Sequence, residues 1–478
     1  MNDNDQNDPM IDEGQAQAIE ALQQFVLQAR WFGGKGRNGQ LAGLEQPDWI
    51  VAPGGDSPAV RAEYVTVVYP DESHEYYQLL VSYRDEPLPE CHIGPALDPA
   101  LGHAHDAPRD VEAMRGVLRS LLAGSQVPHA WQESLVDGRQ LRGDLEPRVF
   151  GGEQSNTNVL LGDVALMKIF RKLEVGPNLD IQMHDALGRA QVPSAARLYG
   201  WVSGSLTPFS DECWTDGADA PDPQRVDLMM ISELLRDAED GWELATEHAR
   251  QGKDIGEHAA ALGTALAQVH TALADAFGPS DAQGTAVADI MRERLAVASE
   301  QAPALAPYRA GLDATFAALE GRQLRTQRVH GDFHLGQTLF TPDGWKIIDF
   351  EGEPMKSFAE RLEPDSALRD IAGMLRSFSY ATSAFDDPTG APAADWLARA
   401  RDAFLAAYQR EAGEVDRAVL AAYEADKAIY EVVYETRNRP DWVEIPLAAL
   451  AAIAPGGRET VGENPTSGAA DQAAEQEN

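Results

Sequence analysis

The sequence predicts an α+β fold of two lobes preceded by a smaller mixed subdomain, and three observations carry that reading. Residues 58–84 and 149–173 hold runs of β-branched and aromatic residues, the pattern of strands. From Ile255 onward apolar residues recur at helical spacing and alanine is abundant, so the second half is mainly α-helical. A single hairpin pattern near residue 340 interrupts that half and carries an aspartate on the loop at either side. The chain accordingly divides into a tail (1–14), an N-terminal α/β cap subdomain (15–125), a β-rich lobe ending in a hinge (126–235), a helical lobe (236–455) and a second tail (456–478).

Composition narrows the function classes. A length of 478 residues accommodates two or three domains and a sizeable core. With 39 basic against 77 acidic residues the formal charge is −38, a surface that repels nucleic acid and anionic membranes, so neither is expected as a partner. Cys91 and Cys213 make no disulfide framework. The start, MNDNDQNDPMIDEGQ, lacks a basic and apolar leader, and no segment approaches the roughly 18 uninterrupted apolar residues of a membrane span, so a cytoplasmic protein is expected. The first dozen residues and those from about Gly456 have no apolar period and are expected to be disordered.

In chain order, Ala16–Ala29 reads as an amphipathic helix with Ile19, Leu22, Phe25 and Val26 on one face. The following Arg30-Trp31-Phe32-Gly33-Gly34-Lys35-Gly36-Arg37 lacks the spacing of a phosphate-binding loop and follows no strand; a tight turn packed by its two aromatic residues fits it better. Residues 64–69 and 76–83 form a hairpin pattern across Pro70-Asp71-Glu72-Ser73, and Val111–Leu122 reads as the helix closing the cap. Cys91, His92, His103 and His105 between them match no common structural zinc spacing.

Residues 150–158, FGGEQSNTN, form a small polar turn between two short strands, the second with Lys168 at its centre. A lysine inside an apolar strand must be paired or must snorkel. About ten residues after such a turn it is placed to contact the phosphates of a nucleotide that Ser155, Asn156 and backbone N–H groups would cradle. The helix after Asn178 should hold the acidic partner of Lys168, for which Asp180 is available. A strand at Leu228–Ile231 runs into Ser232-Glu233-Leu234-Leu235, which fits either an interlobe hinge meeting an adenine ring or an ordinary buried strand end.

The apolar stripe Ile255, Ala259, Leu262, Leu266, Val269, Leu273 marks a long helix, with His258 and His270 beside it as core or surface histidines. Helices follow at Leu368–Phe378 and Trp396–Ala407. A last long helix, from Val419, puts Tyr423, Lys427, Tyr430 and Tyr434 on one face, with Glu424, Glu431 and Glu435 beside them. Such a face suits either a sugar ring or a packed core.

The run VHGDFHLGQTLFTPDGWKIIDFEGEP (Val329–Pro354) carries the chemistry. Asp332 and Asp349 flank one hairpin, as phosphoryl transfer requires of an acceptor-orienting carboxylate and a metal-holding carboxylate, and Gln337 lies between them to complete the metal shell. The run resembles the catalytic loop of aminoglycoside phosphotransferase-like kinases, with Gln337 where that branch usually has Asn. HGDxHLGQ with IDFEGEP, RWFxGKGR, EQSNTN before a lysine strand, and YEADKAIYEVVYETRNRPDW together resemble maltokinases from Arg30 to about Leu447.

That resemblance implies a bilobal protein-kinase-like fold with an N-terminal cap, and transfer of phosphate from ATP to maltose with Mg²⁺, feeding α-glucan and glycogen synthesis. It implies Asp332 as base, Gln337 and Asp349 as metal ligands, and Ser155, Asn156, Lys168, Glu233 and Leu235 at the nucleotide. His334, Tyr423, Lys427, Tyr430 and Glu431 would face the acceptor. By the same resemblance Glu is expected where Gln182 stands, leaving the partner of Lys168 open. Glucosamine kinase, a more distant antibiotic phosphotransferase and a silent binding protein are the alternatives.

Overall fold

The computed structural model describes residues 13–47, 49–123, 131–135, 141–151, 155–209, 222–353 and 356–454. Both expected disordered tails lie almost wholly outside these residues, as do three residues of the polar turn, 152–154.

Two antiparallel sheets build the N-terminal half. The first has the order β1 (Gln40–Glu45), β3 (Ala59–Val68), β4 (His74–Arg84), β6 (His103–Asp106), β5 (His92–Pro95); β2 (Trp49–Val51) adds to β3 and β11 (Lys172–Leu173) to β4. The second has the order β7 (Trp131–Leu135), β12 (Leu198–Leu206), β13 (Gln224–Glu233), β10 (Ala165–Ile169), β9 (Thr157–Leu161), β8 (Pro147–Val149). The β3–β4 hairpin forms because its apolar strands are joined by a turn in which Asp71 accepts the N–H of Ser73 at 3.1 Å and Glu72 takes a positive φ of 65°.

Both faces of that hairpin are covered. Helix α1 (Glu13–Gln28) brings Leu22 and Val26 to one face, where Phe32 of the following turn packs on Tyr77 with centroids 5.1 Å apart. The other face shares a core with helix α2 (Val111–Leu122) and with Val159, Met167 and Ile169 of the second sheet. Cap and lobe therefore have a continuous interior. Buried Arg171 reinforces the join: it donates to Asp106 and to Thr157, both at 2.7 Å, with its guanidinium 5.0 Å from the Trp31 ring.

The C-terminal half is helical: α3 (Leu179–Arg189) precedes the last lobe strands, and α4 (Gly241–Arg250), α5 (Gly256–Phe277), α6 (Gly284–Gln301) and α7 (Arg309–Ala317) follow them. After the central hairpin come α8 (Phe358–Leu362), α9 (Leu368–Ala381), α10 (Ala391–Ala412), α11 (Arg417–Asn438) and α12 (Glu444–Ile453). No helix among the described residues is long and apolar enough to cross a membrane.

The central hairpin pairs Thr338–Thr341 with Gly344–Ile347 and packs against α5 through His258, which meets Phe340 edge-on at 4.8 Å. Its second strand stops at Ile347, two residues before Asp349 takes a left-handed φ of 64° that a ladder cannot continue. Two glycines let helices approach the hairpin's loops. A Cβ at Gly241 would lie 2.1 Å from Thr338 Oγ1, and one at Gly373 would lie 2.4 Å from the Phe333 carbonyl oxygen. Helices α4 and α9 thereby grip the loop before the hairpin.

Candidate active site

The loop His330-Gly331-Asp332 is held from beneath by a buried carboxylate. Asp370, on α9, accepts the N–H of His330 at 2.7 Å and of Gly331 at 2.8 Å, and bonds His270 of α5 at 2.9 Å. Burial alone would raise the Asp370 pKa; the hydrogen bond and charge of His270, with His330 and the Gly331 N–H, outweigh it and hold it below the usual value. His330 in turn reaches the Ile348 carbonyl at 2.9 Å, tying the first aspartate's loop to the second's. Asp332 is left projecting from a fixed backbone.

Around Asp332 two groups set its surroundings. Lys427 of α11 places its ammonium 3.4 Å from Asp332 Oδ1. Burial would lower the Lys427 pKa, but Asp332, Glu353 and Glu431 raise it, so it stays a cation. His334 has Nε2 at 3.9 Å from Asp332 Oδ2, and its Nδ1 accepts the Gly336 N–H at 3.1 Å. Burial, the largest influence, lowers the His334 pKa; with Nδ1 accepting, the neutral ring carries its proton on Nε2, facing the carboxylate.

On the other side of the hairpin, Gln337 donates from Nε2 to Asp349 Oδ2 at 3.4 Å, and turning the amide over would bring its oxygen to the same place. Their amide and carboxylate oxygens are the donors that a hard divalent cation takes. Asp180, Asp349 and Glu351 can each bring one oxygen within 4.8 Å of the others, a cluster whose cation in this structure is the Lys168 ammonium. Lys168, at the centre of β10, reaches all three carboxylates: Glu351 at 2.6 Å, Asp180 at 2.7 Å and Asp349 at 3.2 Å. The open question of its partner is thus answered by Asp180, 2% exposed on the first turn of α3. Burial would lower the Lys168 pKa and raise that of Asp180; their mutual attraction reverses both.

Two clefts converge on this loop. One, about 780 Å³, is lined by Ser155, Asn156, Lys168, Glu233, Leu235, Gln337 and Asp349, every residue expected at a nucleotide and its metal. The other, about 600 Å³, is lined by Asp332, Tyr423, Lys427 and Tyr430. Tyr423 is only 4% exposed and its hydroxyl is engaged by Asp365 at 3.1 Å, so it forms wall rather than rim.

Glu431 does not face that cleft, contrary to expectation. One position beyond Tyr430 it is turned about 100° around the helix, onto α9, where it binds buried Arg376 at 2.8 Å. Glu424 is likewise paired with Arg401 at 2.9 Å and Glu435 with Arg439 at 2.7 Å.

The sequence reading missed Asp370 and the role of His270, although a lone Asp within the apolar pattern of residues 368–378 was a usable signal. It also missed Arg294 and Arg369, which line the cleft of about 600 Å³ and pair with its carboxylates Asp426 and Glu353. Nothing in their spacing marks them, since they come from separate helices.

Comparison with known proteins agrees with this geometry. Residues 147–423 match the model of the phosphotransferase enzyme family (APH), and residues 25–110 match the maltokinase N-terminal cap domain. A glucosamine kinase of Streptacidiphilus jiangxiensis is 30% identical over 335 residues, 63% of this chain and 72% of that protein. Another, of Mycolicibacterium smegmatis (strain ATCC 700084 / mc(2)155), is 28% identical over 339 residues, 64% of this chain and 79% of that protein. The solved structure of a glucosamine kinase in complex with glucosamine, ADP and inorganic phosphate has a TM-score of 0.67 at 22% identity, covering 90% of this chain and 98% of its own. Fold, paired clefts and family match together make the chain a member of the phosphotransferase enzyme family, a kinase with a maltokinase-type N-terminal cap.

Proposed function

We propose that the protein transfers the γ-phosphoryl group of ATP to the anomeric hydroxyl of maltose, giving maltose 1-phosphate for α-glucan synthesis. The observation that carries the reading is the meeting of two clefts at one loop, with Asp332 in one and Gln337, Asp349 and Lys168 in the other. In-line transfer needs the acceptor and the nucleotide on opposite sides of the reacting phosphorus.

In this reading Asp332 orients the acceptor hydroxyl and takes its proton, while Lys427 places a cation beside the charge that crosses. Lys168 steadies the phosphates from the strand β10. Gln337 and Asp349 would hold Mg²⁺, which supplies charge neutralisation at the phosphate oxygens when bound. Glu233 and Leu235 border the far end of the nucleotide cleft, where an adenine ring would lie.

Three features support a neutral acceptor larger than one ring. A cleft of about 600 Å³ falls within the range of sites that enclose a whole organic ligand. Of the five carboxylates that line it, Asp332, Glu353 and Asp426 are each paired with a cation, Lys427, Arg369 and Arg294, while Glu293 and Glu360 are exposed. Tyr430, 39% exposed, offers a ring face on which a sugar can stack.

Glucosamine is the second reading, favoured by the names of the relatives and by one atom. Asp426 Oδ1 is buried at the acceptor cleft with no hydrogen-bond partner among the described residues, and the ammonium of an amino sugar would satisfy it. ADP release with MgATP, measured for both sugars on the wild type and on Asp426→Asn, separates the two. The maltose reading expects the higher kcat/KM for maltose. A higher value for glucosamine that collapses selectively in Asp426→Asn would replace it with the second reading.

A further inference from the structure

We infer that Glu351 competes with the nucleotide's phosphates for Lys168 and Asn156, and gives way when they bind. The inference rests on reading the 780 Å³ cleft as the nucleotide site and is independent of the acceptor's identity. An ammonium has only three N–H groups. Lys168 donates to Asp180 Oδ2 at 2.7 Å and to Asp349 Oδ1 at 3.2 Å, and Glu351 Oε1 stands in ion-pair contact with the same ammonium at 2.6 Å. For Lys168 to hold a phosphate oxygen, one carboxylate has to leave.

The three are not equally able to leave. Asp180 is 2% exposed, and its Oδ1 accepts the Phe350 N–H at 3.2 Å and meets His184 Nδ1 at 3.0 Å, so its side chain is locked. Asp349 has the more exposed side chain, 43%, but its short stem and left-handed backbone set it beside Gln337, where it is read as a metal ligand. Glu351 has a longer stem and a side chain 25% exposed. Its Oε1 also accepts from Asn156 Nδ2 at 2.8 Å.

That second contact makes the arrangement more than a stray ion pair. Asn156 belongs to the polar turn that borders the nucleotide cleft, so one glutamate oxygen bridges two groups placed to receive phosphate oxygens. A carboxylate held there excludes an anionic ligand by occupancy and by like charge. Glu351 thereby sets how strongly the cleft resists a nucleotide arriving without its cation.

The test is calorimetric titration of ADP in EDTA into the wild type and Glu351→Gln, after each has been shown to melt cooperatively. Glu351→Gln is expected to bind metal-free ADP at least about tenfold more tightly, since a negative charge at contact distance is removed. A purely structural role for Glu351 would weaken binding, so unchanged or weaker affinity overturns the inference. If Glu351→Gln does not fold, Glu351→Ala carries the same expectation and the same refutation. Failure of the wild type to bind ADP even with Mg²⁺ would overturn the reading of the cleft, and the inference with it.

Discussion

Replacing Asp370 with Asn isolates the support beneath the catalytic loop. The carboxylate accepts the N–H groups of His330 and Gly331 and pairs with His270, at 2.7, 2.8 and 2.9 Å. Asn keeps the shape but has one acceptor oxygen, so one loop N–H faces an amide NH₂ and loses a charge-assisted bond. Hydrogen bonds to charged groups are worth about 1.5–3 kcal/mol each, which puts the loss at roughly 2–4 kcal/mol. A melting temperature lower by about 2–4 °C follows for a chain of this size. Because Asp332 directly follows the tethered Gly331, a displacement on the order of 1 Å should lower kcat about 10²-fold. Differential scanning calorimetry and coupled ADP release give both readouts. The pH dependence adds a sign. Burial pushes the Asp370 pKa up, but His270 and the loop outweigh it and hold it below its usual 3.8, so its contribution is complete above that value and fades as pH falls toward the folded-state pKa. The wild type's advantage over Asp370→Asn should therefore shrink below about pH 4. A variant with normal melting and normal kcat would refute the reasoning.

Asp332→Asn should lower kcat by roughly 10²–10⁴-fold while MgATP affinity, measured by calorimetry, is largely kept. Asp349→Ala should instead weaken nucleotide binding and the dependence of rate on Mg²⁺ together; equal, mild effects from both aspartates would sink the division of roles. Glu431→Gln should destabilise the fold by about 2–4 kcal/mol in urea titration, because Arg376, 2% exposed, loses its buried partner. The same variant should leave the acceptor KM unchanged, and a raised KM would return Glu431 to the acceptor site.

What could be read from sequence followed the range of the forces involved. Strands and helices showed themselves because their apolar periods are local, as in the 64–69 and 76–83 hairpin and the stripe from Ile255 to Leu273. Lys168, Asp332, Gln337 and Asp349 stood out because a turn or a strand fixes each within a few residues of recognisable punctuation. Asp370 and its bond to His270 were hidden, since their meaning depends on α5 and α9 closing beneath a loop 40 residues away from Asp370. Glu431 shows the converse failure: helical spacing placed it next to the tyrosine face, and only the packing of α9 shows that it turns inward to Arg376. The shared core of cap and lobe was equally invisible, because pairing of their elements spans more than 90 residues, as in Gln78 donating to the Phe170 carbonyl.

Phosphorus NMR of the product formed from MgATP and maltose tests the central claim most directly. The account predicts a single sugar phosphate ester on the anomeric carbon, formed in step with ADP and at least about 10²-fold more slowly in Asp332→Asn. A phosphate on a primary hydroxyl, or a product formed from glucosamine but not from maltose, would contradict it.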